Sequence, residues 1–474
     1  MLTDKQLETV SVRLYNRLNK VNADYLIKIG ERIKEIGDLR PTEVHQIQRI
    51  YEMAGQDIDA ITAELALAGG KTIDDINELF RAVAKENYDY SAPFYEAKGI
   101  KQIPFDDNRK LQEYIASVAN QTVDEFKNLT QHTAFMVWGK NGEVAPAYFK
   151  ENVRKIPTSL SETYTRAIDE AVTKAQLGLT DYRSAIRDTV RALADSGIKT
   201  VDYATGYSRR LDSSVEQNVL WGLKQCNQHI SDRVGEEFGA DGYEIDYHSN
   251  PRPSHAEMGG RQYAVGNKGV TVGGKYYPPF SSVESLLQDY GCLHFKYPIV
   301  LGVSEPAWSD SDLAEMKARD KRVVEFEGKQ YTKYEAKQVQ HRLESAARNA
   351  KDRQTIARAS GDMELARKEQ QRINQITKKY ADFSKASGLE TKMERMRSAG
   401  YRPIKTKSEL LTLEVRNIVT SNGITITKAS EHVVDRAESR GIADLASKQN
   451  ITDTLTNPLD IGKAEKVSNL LERK

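Results

Sequence analysis

The sequence predicts a mainly α protein, elongated and built of many helices, with a small α+β module near its middle. Three observations carry that expectation. Apolar residues recur at steps of three and four over long stretches on both sides of a central block. That block, 240–305, instead alternates polar with apolar residues and is dense in glycine and proline. Charged residues make up 29% of the chain and mean hydropathy is −0.62, which suits helices with much solvated surface.

The first element follows from Leu7, Val10, Leu14, Leu18, Val21, Tyr25, Ile29, Ile33 and Ile36, one apolar stripe over 4–36. Thr3 or Asp4 can cap its start, and Gly37 with Pro41 ends it. So long and narrow a stripe favours packing along another long helix over insertion into a compact core. Thr42 opens a second helix and Asp57 a third that stops at Gly69-Gly70. Thr72-Ile-Asp-Asp starts a fourth, with Ile76, Leu79, Phe80 and Val83 inward. SAPFYEAKGIKQIPF (91–105) reads as an ordered connector. Helices resume over 107–136 and 158–195, and again between Asp202 and Phe238, so everything up to about 238 reads as α. Strands are expected in GYEIDYHS and in RQYAVGNKGVTVGGKYYPPF. From 330 to 385 the pattern is helical again, broken at Ser360-Gly361-Asp362 as in a helical hairpin. Its Arg and Lys are interleaved with Glu and Asp, which describes a solvated, ion-paired face better than a nucleic-acid surface. Residues 386–430 read as linker with short elements.

At 474 residues the chain can hold about two to four domains. The expected divisions are 1–200, an N-terminal helical region; 201–310, the α+β module; 311–400, a helical hairpin; and 401–474, a linker with a C-terminal segment. With 69 basic and 68 acidic residues, net charge points to neither nucleic acid nor membrane. Two cysteines, Cys226 and Cys292, exclude a disulfide framework and favour a reducing compartment. No apolar run approaches the roughly 20 residues of a bilayer span. The start, MLTDKQLETV, lacks the basic and apolar regions of a signal peptide, so manufacture and use in cytoplasm are expected. GxxxxGK[ST] and dinucleotide fingerprints are absent, which argues against ATP-driven chemistry.

Chemistry-bearing residues gather in the module. His248, His255, Cys292 and His294 are borderline ligands of the kind a tetrahedral structural zinc accepts. Cys-x-His is tighter than the usual ligand spacing, however. The other reading is that His255 hydrogen-bonds backbone while Cys292 is a small buried apolar residue. Ser254 and His255 point to opposite faces of an extended chain and cannot form a nucleophile–base pair. Pro251, Pro253 and Gly259-Gly260 instead describe a rigid corner, presenting Arg252 to a carboxylate.

RPSHAEMGGRQY, GGKYYPPF and YGCLHFKYPIVLGVSEP, in that order, resemble the central module of phage minor capsid proteins, related to Mu-like head-morphogenesis proteins. SAPFYEAKGI, NRKLQEYIASVANQTVDEFKNLT, VDYATGYSRRLDSSVEQNVLWG and YEAKQVQHRLESAARNAK with ASGD extend the likeness to the minor capsid protein 2 branch, over roughly 1–400. The resemblance implies a low-copy virion component assembled in the host cytoplasm. It would act in head assembly or at the portal region, with portal, major capsid or scaffolding proteins as partners; the long helices, for their part, offer a route to self-association. Related proteins often carry GCRC or NCRC where this chain has Gly291-Cys292-Leu293-His294, and His294 keeps the ligand type.

Farther on, ITITKASEHVVDRAESRGIADLASKQNITDTLTNPLDI (424–461) resembles the opening of barnase/colicin-like ribonuclease domains. That likeness implies His432, Arg436 and Arg440 as catalytic residues and host RNA as substrate. Four apart on one helix, His432 and Arg436 share a face, so an imidazole base would sit beside a phosphate-neutralising guanidinium. The β-sheet of such a domain does not follow, so a truncated remnant is expected unless another chain completes it. The leading expectation is a structural phage-head protein rather than an enzyme. The alternative is a virion-delivered effector with a ribonuclease-like toxin segment.

Overall fold

The computed structural model describes residues 4–37, 44–97, 99–131, 133–140, 143–144, 154–176, 187–201, 208–289, 292, 294–404, 415, 418–421 and 423–426. Helices dominate it. Those of the N-terminal part are α1 (Asp4–Gly37), α2 (Val44–Tyr90), α3 (Ala92–Ala97), α4 (Arg109–Gln131), α5 (Leu160–Gln176), α6 (Arg187–Ser196) and α7 (Leu211–Phe238). In the module follows the short α8 (Glu284–Leu287), then α9 (Asp310–Asp320), α10 (Lys333–Ala359) and α11 (Met363–Ser387).

The apolar stripe of α1 is present, but its setting differs from the expectation. Leu18, Val21, Tyr25, Leu26, Ile29 and Ile33 are all buried, and so are Asn19, Asn22 and Ala23 on other faces. Helices α2, α5, α7 and α10 enclose it, so α1 is the central strut of a shared core. Its narrow stripe understates its burial because the flanking positions are small or satisfied polar residues. Asn22 Oδ1, for example, accepts from the Ile198 amide at 2.9 Å.

A second correction concerns α2, which runs unbroken through Gly69-Gly70. Ile61, Ala68, Thr72, Ile76 and Phe80 stay buried across the glycines. Thr72 does not cap a helix; its hydroxyl donates to the Ala68 carbonyl at 2.7 Å. Each glycine costs about 1 kcal/mol in a helix, and the continuous buried face outweighs that.

A third correction is the antiparallel sheet inside the region read as wholly α. Strand β1 (Thr133–Lys140) pairs with β2 (Glu143–Val144), β3 (Arg154–Thr158) and β4 (Lys199–Val201), and β4 pairs with β5 (Ser208–Arg210). The hairpin of α10 and α11 does break at 360–362. Gly361 takes φ +75° and the Asp362 side chain caps α11 through the Leu365 amide.

The module is built on β6 (Gly242–Ile245), which lies between β7 (Gln262–Ala264) and β10 (Lys296–Ile299). A small hairpin, β8 (Val270–Val272) with β9 (Lys275–Tyr277), projects beyond β7. Another, β11 (Val324–Phe326) with β12 (Lys329–Tyr331), leads into α10.

Candidate metal centre of the central module

His255 closes the 3-10 turn Pro253–His255, whose prolines fix the approach. That turn sends Ser254 to the surface and buries His255, so the two face apart as expected. Its amide donates to the Arg252 carbonyl at 2.9 Å, and its Nε2 lies 3.1 Å from Asp289 Oδ2. A carboxylate only accepts, so the imidazole proton belongs on Nε2 and the lone pair on Nδ1. This bond to a carboxylate replaces the backbone bond that was the simpler expectation for His255.

Cys292 and His294 arrive from the other side, on the run into β10. The Cys292 amide donates to the Asp289 carbonyl at 2.9 Å, and its Sγ lies 3.6 Å from His294 Nδ1. His255, Cys292 and His294 are at most 5% exposed, and their ligand atoms all lie within 4.8 Å of one another. The His294 ring stands edge-on to those of His248 and His255, with centroids 4.8 and 5.7 Å away. His248 is the outlying member of the predicted four. It lies outside the mutual cluster, with Nε2 3.2 Å from Asp246 Oδ2.

Three residues at this site were not legible as such. Asp246 Oδ1 accepts from the Phe295 amide at 2.8 Å, and its own amide donates to Phe295 O at 3.1 Å, which fixes the backbone beside His294. Asp289 orients His255. Lys224, fully buried on α7, donates to the Leu287 carbonyl and lies 5.3 Å from the Trp221 ring. Burial pushes its ammonium below the usual lysine range, opposed by Cys292, Asp246 and Asp289. The Asp-x-His spacing of Asp246 and His248 was a usable signal; Lys224 is distant in sequence and gave none.

Gly259 explains how the chain fits around His294. A Cβ there would sit 3.4 Å from His294 Nε2 and 3.1 Å from the Asp246 carbonyl. Gly260, with φ +75°, turns the chain so that its amide reaches Ile245 O at 2.8 Å. The rigid corner read from NPRPSHAEMGG is therefore the wall of a His/Cys cluster.

A family described as Phage minor capsid protein 2 matches residues 2–385, which take in both helical regions and the whole module. The chain belongs to this family. No curated protein and no solved structure matches it. As a phage minor capsid protein it is a structural component of the virion, and among the described residues no helix is long and apolar enough to cross a membrane. The ribonuclease-like residues His432, Arg436 and Arg440 lie outside the described residues, and beyond the matched ones.

Proposed function

We propose that this minor capsid protein acts in assembly of the phage head or at its portal region, in few copies made in the host cytoplasm. The observation that carries the reading is the extent of the family match, residues 2–385. Helical body and module thus belong to one capsid-protein unit. Its partners in this reading are the portal and the major capsid or scaffolding proteins. The likeness of the module's motifs to Mu-like head-morphogenesis proteins supports the same placement. Self-association through α1 is disfavoured, because Leu18, Tyr25, Ile29 and Ile33 are spent inside the chain.

Quantitative mass spectrometry of purified procapsids and mature heads tests the proposal, with cross-linking to locate the protein. A few copies per particle, cross-linked to portal, are expected. Absence from both particles, or cross-links confined to the tail, would overturn it. The effector alternative rests on 424–461 alone. An RNA-cleavage assay of residues 400–474 decides it, and cleavage that survives His432→Ala removes His432 from that reading.

A further inference from the structure

We propose that His255, Cys292 and His294 bind a zinc-class divalent cation, with a fourth position open to water. The donor set is two imidazoles and one thiol, the mixture that borderline-soft Zn2+ prefers. Tetrahedral zinc sets donor–donor edges of about 3.3–3.8 Å. The Cys292 Sγ to His294 Nδ1 separation is 3.6 Å, and every pair in the cluster lies within 4.8 Å.

The surroundings suit an ion as well. Asp289 at His255 Nε2 is the carboxylate–imidazole partner that fixes tautomer and ring orientation in metal sites. Asp246 holds the backbone at Phe295, next to His294. Of the three donors, Cys292 also lines a cavity of about 660 Å3 bordered by Gln217, Trp221 and Arg348, from which an ion would approach. His248, paired with Asp246, is not needed as a ligand.

Topology gives the ion a mechanical role. His255 follows β6, whereas Cys292 and His294 precede β10. One ion would tie together the two ends of the segment that carries β7, β8 and β9. The apolar cluster beside it is small, with Ile245, Met258, Tyr263, Phe280, Val283 and Leu287 around Cys292. Domains short of apolar core commonly gain stability from such a clip.

The test uses the full chain, purified, stripped with chelator and reloaded with zinc or cobalt(II). One ion per chain is expected, with the thiolate-to-cobalt charge-transfer absorption. Cys292→Ser should abolish that absorption, while Cys226→Ser, in the helical core, and His248→Ala should keep it. His255→Ala and His294→Ala should each weaken zinc binding at least tenfold, judged by competition with a chromophoric chelator. Wild-type chain that takes up no ion at micromolar free zinc overturns the proposal. So does a charge-transfer band lost in Cys226→Ser and kept in Cys292→Ser. Circular dichroism identifies variants that do not fold; the wild-type and Cys226→Ser spectra decide the matter without them.

Discussion

The main apolar core of the helical body runs from Leu18 in α1 to Leu365 and Ala366 in α11 and takes in Phe295 of the module, whereas the rest of the module's apolar interior divides between two small clusters. Several of the body's buried charges meet one another: Arg210 lies between Asp212 and Asp352, and Arg32 against Asp57. The module's carboxylates mostly meet backbone. Asp241 accepts from the Leu301 amide at 2.7 Å, Glu244 from Ala307 at 2.8 Å and Asp246 from Phe295 at 2.8 Å. Where apolar area is abundant, packing specifies the structure and polar groups decorate it. Where it is scarce, directional bonds to the main chain set the register. The two regions should therefore fail differently.

Phe80→Ala gives the largest expected effect. Phe80 is fully buried in the helical core, and its removal should cost about 3–5 kcal/mol. Thermal unfolding should shift downward with the helical signal, while hydrogen exchange in 262–299 changes little below the transition. Equal acceleration of exchange in both regions would show one cooperative unit and dissolve the contrast. Gly222→Ala probes the same core by overfilling it. The added Cβ would stand 2.1 Å from Thr122 Oγ1 and 2.9 Å from Phe80 Cζ, where α7 meets α4 and α2. A cost of about 1–3 kcal/mol is expected; an unchanged midpoint in a denaturant titration would show that these helices separate easily.

In the module, Asp241→Ala removes the acceptor for the Leu301 amide and leaves a partly buried donor unpaired. The expected cost is about 1–3 kcal/mol, felt locally. Exchange should quicken at 296–303 with little change in the global melting temperature. A full downward shift of global unfolding would instead make the module part of the body's cooperative unit.

What the sequence showed and hid follows the same division. The hairpin of α10 and α11 was legible because Gly361 and Asp362 act locally, one through a left-handed φ and the other through a cap. Gly69-Gly70 carried an equally local signal and misled, since α2 packs along its whole length against α1, α4 and α7. The sheet of β1 to β5 was missed because Ala134 pairs with Lys199, far along the chain, and the short strands carry little alternation of their own. At the site, the types and grouping of His255, Cys292 and His294 were readable. The carboxylates and Lys224 around them depend on where α7 and the loop before Cys292 meet in space.

The smallest expected effect is a slope rather than a step, and it separates the regions by acid. Asp57 is buried in the helical body, where Arg32 Nε donates at 2.7 Å, Tyr164 Oη at 2.8 Å and Lys28 Nζ at 3.1 Å. Burial alone would raise its carboxyl, but these donors outweigh it and hold the group below its ordinary 3.8. A depressed folded value means that the unfolded chain takes up the proton first. The stabilisation is therefore complete above the ordinary carboxylate range and fades as pH falls through the lower, folded value. Melting temperatures measured from pH 5 to about pH 3 should fall more steeply for the wild type than for Asp57→Asn, which has no proton to gain there. Parallel curves would mean that Asp57 carries no acid sensitivity and that the body loses its stability to acid through other groups.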